Sequence, residues 1–355
     1  MKIAVIFGGV STEHDVSVVS GTSVIKNLNK EKYEITPIYI DTDGSWYKYI
    51  KNINDIDILP IGEKVTEIEK LENNTEVLKN QDVIFPVLHG LYGEDGTIQG
   101  LFELLQVPYV GCKVLASSIC MDKVYTKIVL DKAGIKQAKS EYIRRYLDKY
   151  IYIDKELNEK TCTLEEVCEI IEKTLNYPMF IKPSNSGSSV GVTKSNNRVE
   201  LKKAIEYAGK FDKKILVEEG IVGHEVECAV LGNEDVIASS VGEIKSADEF
   251  YDFDSKYINS ASKTVIPAEI SNDKIEEIRK IAIKAFKAVD GKGLSRVDFF
   301  VEKGTDAVIL NEINTLPGFT NISMYPKLIE NLGIKYSELL DKLIEFAMEK
   351  WYNKC

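Results

Sequence analysis

Four polar side chains towards the carboxyl end are spaced for chemistry: Arg296, Asp298, Glu312 and Asn314. Two apolar stretches, 294–301 and 307–314, read as strands joined by the turn residues Lys303-Gly304-Thr305-Asp306. Strand side chains alternate faces with period two, so Arg296 shares a face with Asp298, and Glu312 with Asn314. A hairpin folded about Gly304 sets Arg296 opposite Glu312 and gathers all four groups on one side. Val297, Phe299, Val301, Ile309 and Ile313 are expected on the other. Two carboxylates and an amide oxygen are hard ligands of the kind Mg²⁺ takes together with waters or phosphate oxygens. A permanently charged guanidinium beside them suits a phosphate or a developing oxyanion. An exposed face laced with ordinary ion pairs is the competing reading. The loop that follows, Thr315-Leu316-Pro317-Gly318-Phe319-Thr320, offers amides and hydroxyls to a bound anion.

A second stretch, Lys182-Pro183-Ser184-Asn185-Ser186-Gly187-Ser188-Ser189-Val190-Gly191, follows a short apolar strand. Small residues let a backbone approach phosphate oxygens, and Lys182 adds a point charge. The segment therefore reads as a phosphate loop between two strands, against the alternative of a merely mobile one. His89 opens a glycine-rich run after the strand 83–88, where open α/β sheets place ligands. As a lone histidine it fits a structural or a functional role. Glu218 and Glu219, in the strand 215–221, read either as exposed charge or as the edge of an adenine pocket.

More than one unit has to position these groups. At 355 residues the chain is long for one core, and two or three α/β domains are expected. An apolar run at 3–7 leads through Gly8-Gly9-Val10-Ser11 and on past Ser17 to a helix ending near residue 28. That is the opening of a doubly wound parallel sheet, with a site where the helix begins. The glycines do not spell G-x-G-x-x-G, which argues against a dinucleotide-dependent oxidoreductase. A strand is expected at 35–40 and a helix at 98–105, while 51–80 reads as an inserted surface segment. Helices are expected at 125–133, 164–175, 272–289 and 336–351, and antiparallel strands at 225–231 and 236–241. The stretch 141–152 fits no pattern.

Lys+Arg 45 against Asp+Glu 56 gives a net charge of −11. Such a chain is a poor candidate for non-specific nucleic-acid or membrane binding, so an anionic ligand must be held by local positive charge. The six cysteines lack zinc spacing and read as reduced thiols. A strand rather than a signal peptide at the start, and no apolar run near ~18 residues, point to the cytoplasm.

Together the motifs resemble the D-alanine–D-alanine ligase family, of the ATP-grasp fold. GGxSTEHDVS, LHGxxGEDGTIQG, CMDK, FIKPSNSGSSVG, FYDFDSKY, GLSRVDFF and NEINTLPGFTNIS occur in the family's order from Met1 to about Tyr352. The resemblance implies an α/β fold, α+β in its C-terminal part, in three domains. These are an N-terminal doubly wound parallel-sheet domain at 1–116 with the first D-alanine subsite, a central ATP-grasp subdomain at 117–212, and a C-terminal one at 213–355 with the metal and second-substrate site. It also implies ATP, two Mg²⁺ ions with Mn²⁺ able to substitute, a homodimer, and a role in making peptidoglycan precursor.

Residue roles follow from the same resemblance. Lys123 and Lys182 contact ATP phosphates, Glu218, Glu219 and Ile221 line the adenine, and Glu225 holds the ribose. Asp298, Glu312 and Asn314 bind the metal. Glu13 receives the ammonium of the first D-alanine, Ser188 and Tyr257 hold Glu13, and Lys256 belongs to the same lid. Arg296 and the Gly318 amide stabilise an oxyanion, His89 lies near the first subsite, and Ser323 and Met324 sit at the second amino acid. Two departures stand out: His14-Asp15 where many members carry Arg-Glu, and Thr320-Asn321-Ile322-Ser323 in place of T-S-H-S. Relatives that use D-lactate commonly carry His at the lid tyrosine, so Tyr257 implies D-alanine, or D-serine on the same frame, as second substrate. A non-catalytic nucleotide-binding regulator could lose Glu13, Ser188, Tyr257 or Arg296, and this chain has all four.

Overall fold

The computed structural model describes residues 1–245, 263–320 and 322–352. The apolar run at the amino end becomes β1 (Lys2–Gly8), paired in parallel with β2 (Glu34–Ile40) and β5 (Val83–Pro86). Residues 3–7 are fully buried, as a strand covered on both faces requires. Helix α1 (His14–Asn27) starts earlier than expected because Ser11 ties its entry. The Ser11 Oγ accepts the Glu13 N–H at 2.9 Å and its carbonyl accepts that of His14 at 3.2 Å. The segment 51–80 is no simple insertion. It lies between β3 (Trp46–Tyr49) and β5 and supplies the helix α2 (Asn74–Lys79) and the strand β4 (Ile68–Lys70), which extends the sheet to the order β4-β3-β2-β1-β5. Helices α3 (Thr97–Leu105) and α4 (Val114–Met121) follow, the latter running across residue 116.

After α5 (Lys123–Lys132) comes a six-stranded antiparallel sheet, order β10-β9-β11-β6-β7-β8. Its strands are β6 (Ser140–Tyr146), β7 (Lys149–Ile153), β8 (Glu159–Cys162), β9 (Met179–Pro183), β10 (Thr193–Ser195) and β11 (Lys214–Glu219). The unassigned stretch 141–152 is the β6–β7 hairpin, turning at Leu147 with φ 56°. Helix α6 (Leu164–Thr174) carries a capping box in which Thr163 and Glu166 satisfy each other's amides, and α7 (Arg198–Ala208) lies between β10 and β11. Because β11 is hydrogen-bonded to β6 and β9, this sheet continues past residue 212.

The third sheet is also antiparallel, order β14-β13-β12-β15-β16. It comprises β12 (Gly223–Gly232), β13 (Ile237–Lys245), β14 (Lys263–Val265), β15 (Gly293–Glu302) and β16 (Val308–Asn314). Helix α8 (Asn272–Ala288) buries Ile278, Ala282, Ala285 and Phe286 against Val297, Phe299 and Ile313. The last helices, α9 (Met324–Asn331) and α10 (Tyr336–Tyr352), return to the first sheet. Leu339, Leu340, Leu343 and Ile344 share one core with Val5, Phe7 and Phe85.

A tight joint in the amino-terminal part is where α1 crosses β1. A Cβ on Gly21 would lie 2.3 Å from the Phe7 Cβ. Gly21→Val should therefore force the helix off the sheet and lower stability by about 1–3 kcal/mol, read as a lower urea midpoint. An unchanged midpoint would show that this crossing tolerates extra volume.

Candidate active site

A cavity of about 610 Å³ opens between the three sheets. One wall is the hairpin face. Arg296 stands opposite Asn314 and Asp298 opposite Glu312, which corrects the expected Arg296–Glu312 pairing by two residues. The four groups still share a face. A bulge after Asp298 shifts the register beyond it, so Val308 and Leu310 enter the core with Phe299, and Ile309 pairs with Phe300 instead. Ile309 is thus displaced from the side on which it was expected. Arg296 forks onto Asp298, with Nε to Oδ1 at 2.8 Å and Nη2 to Oδ2 at 2.7 Å. Asn314 Nδ2 adds a bond to Asp298 Oδ2 at 3.0 Å, and Glu227 Oε2 lies 3.0 Å from Arg296 Nε. Burial alone would weaken the guanidinium's charge, but Asp298 and Glu227 outweigh it and hold its pKa well above the ordinary value. Among the described residues no three His, Cys, Asp or Glu side chains cluster as a metal cage. Asp298, Glu312 and Asn314 still put three hard oxygen donors on one wall, a set that fits Mg²⁺ completing its shell with phosphate and water.

The opposite wall is the loop 184–192 between β9 and β10, whose antiparallel pairing gives the strand–loop–strand unit expected there. Ser188 and Ser189 hold positive φ (47° and 60°), backbone geometry that costs energy in a non-glycine residue and turns the loop inward. Its base is anchored by Asp122, which accepts from Ser184 Oγ at 2.6 Å and from Lys214 Nζ at 2.5 Å while capping α5. Lys123 then donates to the Ser186 carbonyl at 2.6 Å. Burial, reinforced by the neighbouring Lys182, lowers its pKa. Lys182 itself is paired with Glu218 at 2.6 Å, and Lys127 meets the other oxygen of Glu218 at the same distance. Glu218 lines the cavity, and its carboxylate is held by the two lysines. Burial would raise its pKa, but the lysines hold it at about 2. Glu219, Ile221 and Glu225 line the same cavity.

At the amino-terminal side, Ser188 Oγ donates to Glu13 Oε1. Glycines make room for that carboxylate: a Cβ on Gly90 or Gly187 would lie 2.3 or 2.5 Å from Glu13 Oε2. His89 is buried and neutral in pattern. Its Nδ1 donates to the Leu316 carbonyl (3.1 Å), and its Nε2 accepts from Ser20 Oγ (3.0 Å), which in turn accepts the Phe319 N–H (3.2 Å). Sequence reasoning missed Glu94, which lines the cavity and accepts from the Gly90 and Leu316 amides at 2.7 and 3.2 Å. Burial, and then the charge of Glu13, push its pKa above the carboxylate range. The signal was its place in the glycine-rich run after β5. Gly318, Ser323 and Met324 line the remaining side, with Ser323 Oγ accepting from Thr320 N at 3.1 Å. Lys256 and Tyr257 lie outside the described residues.

Family models described as "D-ala D-ala ligase N-terminus" and "D-ala D-ala ligase C-terminus" match residues 2–112 and 146–345. D-alanine–D-alanine ligase B of Clostridium tetani is 52% identical over 98% of this chain and 94% of its own. The Clostridium acetobutylicum D-alanine–D-alanine ligase is 51% identical over 98% of each. This chain belongs to the D-alanine–D-alanine ligase family. Solved structures agree on the ATP-grasp architecture. The VanG D-Ala:D-Ser ligase of Enterococcus faecalis superposes with a TM-score of 0.83 at 39% identity, covering 98% of this chain and 99% of its own. The Bacillus anthracis D-alanine–D-alanine ligase complexed with ATP gives 0.74 at 28%, covering 100% of both.

His89 supplies a pH test of this ligase's architecture. Burial lowers its pKa from 6.5 to about 4. The unfolded chain therefore takes up the proton first as pH falls. The stabilising contribution is complete above pH 6.5 and is lost as pH drops through about 4, a loss of about 3 kcal/mol. Urea unfolding between pH 7 and 4 should show a shallower decline for His89→Gln than for the parent. Parallel declines would mean that His89 titrates normally.

Proposed function

We propose that the chain joins two D-alanines into D-alanyl-D-alanine with ATP as phosphoryl donor, in the cytoplasm, supplying peptidoglycan synthesis and hence cell-wall biogenesis and cell shape. The observation that carries this reading is the buried Glu13 carboxylate, held by Ser188 in a cavity that also contains Lys123, Lys182 and the Arg296–Asp298–Glu312 face. In this reading Glu13 receives the ammonium of the first D-alanine. Lys123 and Lys182 neutralise the phosphates while that substrate's carboxylate attacks the γ-phosphoryl group, giving an acyl phosphate and ADP. Glu219 and Ile221 line the adenine, Glu218 positions Lys182 at its edge, and Glu225 meets the ribose. Asp298, Glu312 and Asn314 would hold two Mg²⁺ ions, or Mn²⁺ in their place. When bound, these supply charge neutralisation at the transferring phosphoryl group.

The amine of the second D-alanine, seated by Ser323 and Met324, then attacks the acyl carbon and phosphate leaves. Arg296 and the Gly318 amide stabilise the intervening oxyanion. His89 shapes the first subsite by holding the loop at Leu316. Lys256 and Tyr257 are assigned to the cover over Glu13 on sequence alone. The lobes follow the same reading, 1–116, 117–212 and 213–355, amended so that the central one runs on through β11. D-serine in the second position is the alternative, favoured by the 39% identity to a D-Ala:D-Ser ligase. We assign a homodimer, supported by the exposed Leu91, Tyr92, Leu104 and Leu115 on adjoining elements of the amino-terminal part. A single monomeric species in sedimentation velocity at micromolar concentration would rule it out.

Phosphate release from ATP should require D-alanine, give dipeptide, and show no depsipeptide with D-lactate. Turnover that appears only when D-serine is added would select the alternative. Asp298→Asn or Glu312→Gln should abolish turnover with the urea midpoint nearly unchanged, since each removes ligand charge from the nucleotide–metal complex. Parental activity in either variant at ordinary Mg²⁺ would sink the assignment of that wall.

A further inference from the structure

Three charged groups meet behind the phosphate loop. Glu218 offers one carboxylate oxygen to Lys182 and the other to Lys127, each at 2.6 Å, and all three side chains are largely buried. The lysines differ in their freedom. Lys182 lines the main cavity, whereas Lys127 lines only a side pocket of about 10 Å³ behind the wall. Lys127 is also fastened at its tip, its Nζ donating to the Ala138 carbonyl at 3.2 Å. Of the two, Lys182 is the one placed to turn towards a ligand.

We infer that Lys127 is a positioning residue for ATP: it keeps Glu218 neutralised so that Lys182 can transfer from Glu218 to a phosphate oxygen. The physical ground is the cost of an uncompensated buried charge. If Glu218 had Lys182 as its sole counter-ion, moving that ammonium to a ligand would strand a carboxylate in the interior, which is strongly unfavourable. With Lys127 fixed on the second oxygen, the carboxylate remains paired throughout, and the exchange trades one anionic partner for another. Two ammonium groups against one carboxylate leave the triad with a positive charge to offer. The low pKa of Glu218 and the raised one of Lys182 agree with a fully ionised set.

The inference rests on the reading of Lys182 as a phosphate contact, and the variants separate the two. Lys182→Ala should raise the KM for ATP by ~10-fold; an unchanged KM would overturn the reading of Lys182 itself. With that established, Lys127→Met should also raise the KM for ATP by ~10-fold, with kcat and the KM for D-alanine much less affected, because Lys182 is now trapped on Glu218. Adding Glu218→Gln to Lys127→Met removes the trapping charge and should recover most of the ATP affinity. A merely structural role for Lys127 predicts no such recovery, since the double variant would be no better than the single one. Either that result, or an unchanged KM for ATP in Lys127→Met, overturns the proposal. Calorimetric titration with ADP gives the same comparison without turnover.

Discussion

A guanidinium enclosed by protein must be paired, because an isolated buried ion costs far more than folding can spare. Arg296 meets this demand within its own strand by forking onto Asp298 two residues on, a neighbour on the same face. That pairing constrains the whole hairpin. A slip of one residue would turn Arg296 and Asp298 into the apolar layer beneath α8 and lift Val297 and Phe299 into the cavity. Asn314 and Glu312 stand opposite the fork, so the register that satisfies the guanidinium also assembles the oxygen donors. The bulge just after Asp298 ends this polar section and returns the strand pair to core packing.

The loop that completes the wall is held mainly by the amino-terminal domain. Leu316 donates its N–H to Glu94 and gives its carbonyl to His89, while Phe319 donates to Ser20 and accepts from the Tyr336 hydroxyl at 2.8 Å. Three of these four partners come from α1 and the segment after β5. Helix α1 is accordingly an unusual core helix, with Ser17, Ser20, Thr22 and Ser23 fully buried. Their hydroxyls meet Val87, His89, Leu59 and Tyr336, so the helix is fastened by hydrogen bonds as well as by packing. The chemistry assigned to the carboxyl-terminal sheet thus depends on the amino-terminal one for its geometry.

This division explains what was legible in the sequence. The hairpin face was readable because strand periodicity is local: Arg296 had to share a side with Asp298, and Glu312 with Asn314, and the apolar residues between them mark the other side of each strand. The cross-strand pairing was not, since the turn does not centre on Gly304 and the bulge after Asp298 shifts the register again, neither of which alters the pattern. The Ser/Gly loop and Lys182 announced themselves by composition. The partner of Lys182 did not, because Glu218 sits 36 residues on and meets it only through the pairing of β9 with β11. Glu94 was hidden in a run whose glycines drew attention to backbone rather than to side chains. The start of α1 was misread because His14, Asp15 and Ser17 look like loop residues to any hydropathy pattern. The β6–β7 hairpin was obscured by Arg144, Arg145 and Lys149, charges that face solvent and erase its alternation.

The acidity of the chain shapes how an anion can be recognised. With a net charge of −11 the protein's overall field works against ATP at long range. Recognition must come from short-range contacts inside the cavity, where low dielectric strengthens each one. The cations described there do not wait as bare charges. Lys182 rests on Glu218, Arg296 on Asp298, and Lys123 on a loop carbonyl. Binding is therefore an exchange of partners, favourable only for a ligand that replaces several such contacts at once. A lone inorganic anion replaces few of them. In the reading proposed for this site, a metal–triphosphate complex would offer oxygens to both lysines and a cation to the oxygen donors of the hairpin wall, so that contacts on one wall support those opposite.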